Sequence, residues 1–185
     1  MGEESRRKRF QSLILPHLDR LVALASRWSN RNEAEDDVQE ACVRAWAAFD
    51  QLHDVDAAFA WMCRILRSVV IERHRMRARR RDLVSIVELE AAHEEMVASD
   101  SRSPLEDLLA SVEKRRLREA LLAIPEEFAE AVELHDVHGL KYREIAEVIS
   151  APIGTVMSRI SRGRQLLAAL LTVSNEPVLK RRVAN

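Results

Sequence analysis

The stretch Lys141-Tyr-Arg-Glu-Ile-Ala-Glu-Val-Ile-Ser-Ala-Pro-Ile-Gly-Thr-Val-Met-Ser-Arg-Ile-Ser-Arg-Gly-Arg-Gln-Leu-Leu167 reads as two short helices broken at Ser150-Ala151-Pro152. The first, Tyr142 to Ile149, turns Ile145, Val148 and Ile149 to one side. Pro152 suits the first turn of the second, where its missing N–H costs nothing. At about 100° per residue, Ile153, Val156, Ile160 and Leu167 share a stripe, with Thr155, Ser158, Ser161, Arg162 and Gln165 opposite. An apolar inner stripe behind a polar, basic outer face is the pattern of a helix-turn-helix, whose second helix shows side chains to base edges in a major groove of DNA. An ordinary helical hairpin within a bundle has the same period and needs no DNA.

Outward from this stretch, the 185-residue chain is rich in helix formers and holds only 4 Gly and 5 Pro, so helix is favoured nearly throughout and no period-2 strand stands out. The formal charge of −1 hides a sorted distribution. Between Arg64 and Arg81 stand eight arginines and one acid, Glu72; from Asp82 to Val112 stand eight acids and one base, Arg102. A segregated charge is compatible with a nucleic-acid partner where a near-zero total alone would argue against one.

Other classes find little support. No apolar run approaches the ~20 residues that cross a bilayer, and the charged start Met1–Arg9 has no signal-peptide core behind it. A soluble, cytoplasmic protein without membrane insertion is expected. Cys42 and Cys63 are too few for a disulfide framework or zinc knuckle and read as buried structural thiols. His135 and His138 with Asp136 could form a metal pair but lack a third ligand, and Glu90-Ala-Ala-His93 has no second copy. No phosphate loop or nucleophile constellation appears, so no enzymatic activity, cofactor, metal or small-molecule substrate is expected.

Toward the N-terminus, Phe10 to Trp28 has helical spacing, with Phe10, Ile14, Leu18, Leu21, Ala25 and Trp28 on one face. Arg31 to Phe49 follows, with Asn32 and Glu35 in capping-box register and Ala34, Val38, Cys42, Ala45 and Phe49 apolar. After a polar loop, Asp50 to Asp56, comes a long helix, Ala57 to Arg81. Its apolar stripe (Phe59, Met62, Ile65, Leu66, Val69, Val70) stops early, so the last turns should project as a basic rod carrying Arg73, Arg75, Arg77, Arg79, Arg80 and Arg81. Ser103-Pro104-Leu105-Glu106 starts a helix that Leu108, Leu109, Val112, Leu117, Leu121 and Ile124 carry to Pro125. Another, Glu126 to His138, should end at Gly139 in a left-handed cap. The expected fold is all-α: two small helical domains, 1–81 and 104–171, joined by a flexible acidic linker, 82–103, the second domain holding the helix-turn-helix, and a tail, 172–185.

Two segments together resemble a bacterial RNA polymerase sigma factor of the extracytoplasmic-function group. One is Ala34-Glu-Asp-Asp-Val-Gln-Glu40 with Arg44-Ala-Trp46, then Phe59-Ala-Trp61 and Ile65 before an Arg-rich helix end. The other is Ile124-Pro-Glu-Glu127, then Gly139 through Ala146, then Ile153-Gly-Thr-Val156, Ser158-Arg159-Ile160, Arg162 and Arg164. The resemblance implies that Asp36, Asp37, Gln39 and Glu40 dock on the clamp helices of core RNA polymerase, where an exposed acidic face can meet a basic one. It implies that His53, Asp54 and Val55 capture a flipped base of the downstream (−10) promoter element. Trp61, Arg64, Arg67 and Ser68 would then hold the opened strand, although Trp61 lies on the apolar side of its helix and reads equally as a core residue. Arg75 and Arg79, with the other arginines of the rod, are better candidates for phosphate contacts. Where the family usually shows Asn and, four residues on, Asp, this chain has Ser68 and Glu72, which removes an amide's paired geometry. Ser158 and Arg162 match base-reading positions for the upstream (−35) element, Thr155 suits a phosphate, Arg159 and Arg164 flank toward backbone, and Met157 and Ser161 replace longer groups. Silencing by an anti-sigma protein is implied as well. A free-standing helix-turn-helix repressor explains Lys141–Leu167 but gives Ala34–Glu40 no task.

Overall fold

The computed structural model describes residues 2–29, 31–83 and 104–173. Almost all of the expected linker and tail, with Glu90 and His93, lie outside the described residues, as do the side chains of Arg80, Arg81, Leu108 and Leu109. The described residues are helical: α1 (Glu3–Ile14), α2 (Leu18–Trp28), α3 (Arg31–Ala47), α4 (Ala58–Leu83), α5 (Pro104–Ala123), α6 (Glu126–Val132), α7 (Tyr142–Ile149) and α8 (Ile153–Val173). They fall into two compact units, one of α1 to α4 with residues 143–151, the other of α5, α6 and α8.

The single helix expected over Phe10–Trp28 is two, divided by a 3-10 turn at Leu15–His17. Pro16 is the reason, since it lacks the N–H that would bond four residues back and its ring crowds that carbonyl. The charged start is itself helical. Arg6 pins α1 down: its guanidinium donates to the Trp46 carbonyl at 2.9 Å, lies 4.3 Å from the Trp46 ring and pairs with Asp50 at 3.4 Å.

The core of the first unit is Ile14, Leu21, Leu24, Ala25, Ala34, Val38, Ala41, Ala45, Met62, Leu66, Val69 and Val70, all buried. Alanines on the inner face of α3 let it pack closely against α2 and α4. Because α3 starts at Arg31, Asn32 sits inside its first turn instead of capping it. Cys63 is buried, which pushes its thiol up to about 12, while Cys42 is half-buried and also raised.

In the second unit Ala120, Leu121, Ile124, Ala129, Val132 and Leu167 form the core, with Phe128, Leu166 and Leu171 against it. Leu117, expected in this stripe, is exposed. The helix after Pro125 ends as expected at Gly139, whose φ is +72°. Its last turn, Glu133–Val137, is instead π-helical, closed by His138 N–H to Glu133 O at 3.0 Å. His135 Nδ1 lies 2.8 Å from the Leu140 carbonyl; a carbonyl only accepts, so that nitrogen carries the proton.

Among the described residues no helix is long and apolar enough to cross a membrane, and no group of three His, Cys, Asp or Glu side chains is placed to hold a metal.

Candidate nucleic-acid interface

The break between α7 and α8 is made by local bonding. Ser150 adopts a left-handed conformation, φ +54°, and Ala151 N–H reaches the Ala146 carbonyl at 3.0 Å. That six-residue closure ends α7 and leaves Pro152 to open α8, where Val156 N–H bonds to its carbonyl at 3.1 Å.

On α8 the buried stripe is Val156, Ile160, Gly163 and Leu167. Ile153, expected in it, is 42% exposed. As the first helical residue it has no preceding turn over which to fold back. Met157, Ser158, Ser161 and Arg162 are exposed on the other side, and Thr155 and Arg159 are half-buried beside them. The Ser158 hydroxyl donates to the Thr155 carbonyl at 2.9 Å, a bond it can exchange for an outside acceptor.

Arg164 is exposed but engaged. Its Nε donates to Asp136 Oδ2 at 2.9 Å, and its Nη2 pairs with Asp136 Oδ1. Hydrogen bonding from Arg164 holds the Asp136 carboxyl below its usual value despite partial desolvation, and lifts Arg164 in return. This arginine therefore braces the π-turn against α8, whereas Arg162 makes no ion pair among the described residues.

In the first unit His53, Asp54 and Val55 are exposed on a loop held by an Asx turn, Asp54 Oδ1 accepting from Asp56 N–H at 3.0 Å. Trp61, which the sequence offered both as a ring against the opened strand and as a core residue, is buried and belongs to the core. Met62 and Leu66 of the same helix are buried as well, and for so large an apolar ring burial outweighs an outward role. Arg64, Ser68, Arg75 and Arg79 are exposed and Arg67 is half-buried.

The expected basic rod is only half outward. Arg73 Nε lies 2.9 Å from Asp37 Oδ1, and Arg77 pairs with Glu33. Arg73 and Arg77, one turn apart, face α3; Arg75 and Arg79, about 200° round the helix, do not.

Asp37 is the main correction on α3. Expected on an exposed docking face, it is 0% exposed. Its Oδ2 accepts from the Ser29 hydroxyl at 2.8 Å, while the Arg73 N–H does not aim squarely at Oδ1. A carboxylate so buried is held by the opposite charge of Arg73. Asp36 and Gln39 remain exposed, and Glu40 is half-buried. Glu40 shares Arg44 with Glu72, both at 2.7 Å, and Ser68 donates to Glu72 at 3.2 Å. The Arg44 hydrogen bond holds the Glu72 carboxyl below its usual value. Ser68 and Glu72 thus form one polar chain with Arg44, a residue to which the sequence assigned no role of its own.

Residues 13–80 match the family described as Sigma-70 region 2, and residues 114–167 the family described as Sigma-70, region 4. Over 162 residues the chain is 30% identical to the ECF RNA polymerase sigma-E factor of Escherichia coli K12, covering 86% of this chain and 85% of that protein. The solved sigma factor RpoE of Bartonella quintana, in complex with the anti-sigma factor NepR, superposes with a TM-score of 0.71 at 29% identity. The match covers 90% of this chain and 98% of that one. CnrH, solved in complex with the cytosolic domain of CnrY, gives a TM-score of 0.57 at 25% identity and 90% coverage of both chains.

Proposed function

The chain belongs to the sigma-70 family, in its extracytoplasmic-function group, and on that premise we propose that it joins core RNA polymerase in the cytoplasm and directs initiation at a two-part promoter. The chemistry of transcription stays with the polymerase; this chain supplies recognition and strand opening. The division of labour is 1–81 for polymerase and the downstream element, 82–103 as linker, 104–171 for the upstream element and 172–185 as tail.

The observation that carries the reading is the outward face of α8, where Ser158, Ser161 and Arg162 stand over a fully apolar inner stripe. Arg162 pairs with a guanine edge, a contact worth ~1–3 kcal/mol of discrimination. Met157, Thr155 and Arg159 border it, while Arg164 reaches a phosphate only by leaving Asp136. In the first unit Asp36, Gln39 and Glu40 meet the polymerase. His53, Asp54 and Val55 take the flipped base, and Arg64, Arg67, Ser68, Arg75 and Arg79 hold the displaced strand. Two solved relatives are captured with partner proteins, one named an anti-sigma factor; a similar protein holds this chain inactive by covering its polymerase-facing surfaces.

Reconstitution tests this. The purified chain with bacterial core polymerase should retain promoter fragments in a gel shift and start transcription at mapped sites. Tight promoter binding by the chain alone would instead identify a free-standing repressor.

A further inference from the structure

We propose that Glu33 and Arg77, with Asp37 and Arg73, are positioning residues for strand opening, a ladder that fixes the outward arginines of α4 relative to the polymerase-docking face of α3. This rests on the function proposed above.

Val70 is the last apolar residue of α4 that is fully buried among the described ones, and Ile71 after it is half-buried, yet α4 continues to Leu83 and Met76 is exposed. Ion pairs take over there. On α3 Glu33 and Asp37 are four residues apart, and on α4 Arg73 and Arg77 are too, so the pairs Asp37–Arg73 and Glu33–Arg77 stack one turn apart between antiparallel helices. The inner rung is the stiffer, because Asp37 has no exposure and also accepts from Ser29 at the end of α2. The outer rung is more open, its Arg77 side chain 44% exposed.

The same turns of α4 carry Arg75 and Arg79 on the opposite side, and the same turns of α3 carry Asp36 outward. Register between the two outward faces is therefore set by the inward charges. Strand opening needs the cations at a defined place when the base leaves the stack, since flipping costs a few kcal/mol that a well-placed site must offset. A distal α4 without rungs would still be helical and basic, but it would no longer be aimed.

The charge sign of Glu33 makes a clean test. Glu33→Gln removes the outer rung and makes the unit more positive, so non-specific attraction to DNA can only rise. With reconstituted holoenzyme, affinity for core and the rate of opening a duplex promoter (permanganate reactivity of unpaired thymines) are measured in parallel. Glu33→Gln and Arg77→Gln should each slow opening several-fold, up to ~10-fold for one well-placed charge-assisted contact, with core affinity within about two-fold. Arg77→Lys should retain most of the rate. Unchanged or faster opening in Glu33→Gln, or a fall in core affinity that accounts for the slower opening, overturns the proposal. Failure of the wild-type chain to bind core or open promoters would instead reject the function itself.

Discussion

Gly163 on α8 lies so close to Val132 on α6 that a Cβ at 163 would meet Val132 Cγ2 at 2.6 Å, with the Phe128 carbonyl oxygen at 3.0 Å. The absent side chain lets the helix bearing Arg162 sit down on its support. An alanine in an open helix would stabilise by about 1 kcal/mol relative to glycine. Here overpacking reverses the sign, and Gly163→Ala should destabilise by about 1–3 kcal/mol. Urea unfolding of the full chain measures it, and a stabilised variant would disprove the close crossing.

The Asp36 and Asp37 side chains are neighbours in sequence with opposite fates. Asp36→Lys, on the exposed face, should leave the unfolding midpoint unchanged while lowering core affinity about ten-fold at low salt, as a rim charge does. Asp37→Ala strands Arg73 and should cost about 3 kcal/mol of stability, toward the lower end for a broken buried pair because Arg73 is 24% exposed. Calorimetry together with a core-binding titration separates the two, and the reverse pattern would mean the faces of α3 are exchanged.

Ser150 carries a backbone angle that suits glycine. The left-handed conformation costs an L-residue roughly 1–2 kcal/mol, and the extra freedom of unfolded glycine takes back about half. Ser150→Gly should thus raise stability by roughly 0.5–1 kcal/mol, whereas the β-branched Ser150→Val should lower it. Thermal melts of both variants provide the check.

The Asp136–Arg164 pair gives an acid dependence whose sign is fixed. The Asp136 carboxyl is held below its ordinary 3.8 by the Arg164 hydrogen bond. Its contribution is therefore present above the unfolded value and is lost as pH falls through the lower folded one. Melting temperatures should drop below about pH 4, and Arg164→Gln should flatten that drop. Equal acid sensitivity in the variant would assign the effect to other carboxyls.

Much of this was legible in the chain alone because helical periodicity and capping are local properties. The apolar spacing of Ile145, Val148 and Ile149 set the span of α7, Gly139 marked a left-handed helix end, and Ser158, Ser161 and Arg162 of α8 were placed outward by phase. Local chemistry also explains one miss that was avoidable: Pro16 divides α1 from α2. A glycine between Arg162 and Arg164 inside a helix was a second usable signal, since such a residue costs stability unless something must come close. What tertiary structure alone decided is which partner each side chain meets. Asp37 and Asp36 read alike as acids of a docking face; the packing that brings Arg73 of α4 and Ser29 at the end of α2 to Asp37 makes that one core. Likewise the arginines of α4 look equivalent in sequence, and the crossing with α3 turns Arg73 and Arg77 inward and leaves Arg75 and Arg79 to solvent. A chain specifies the phase of each helix through its nearest neighbours, but burial and ion pairing depend on contacts between segments distant in sequence, and those exist only after the helices have packed.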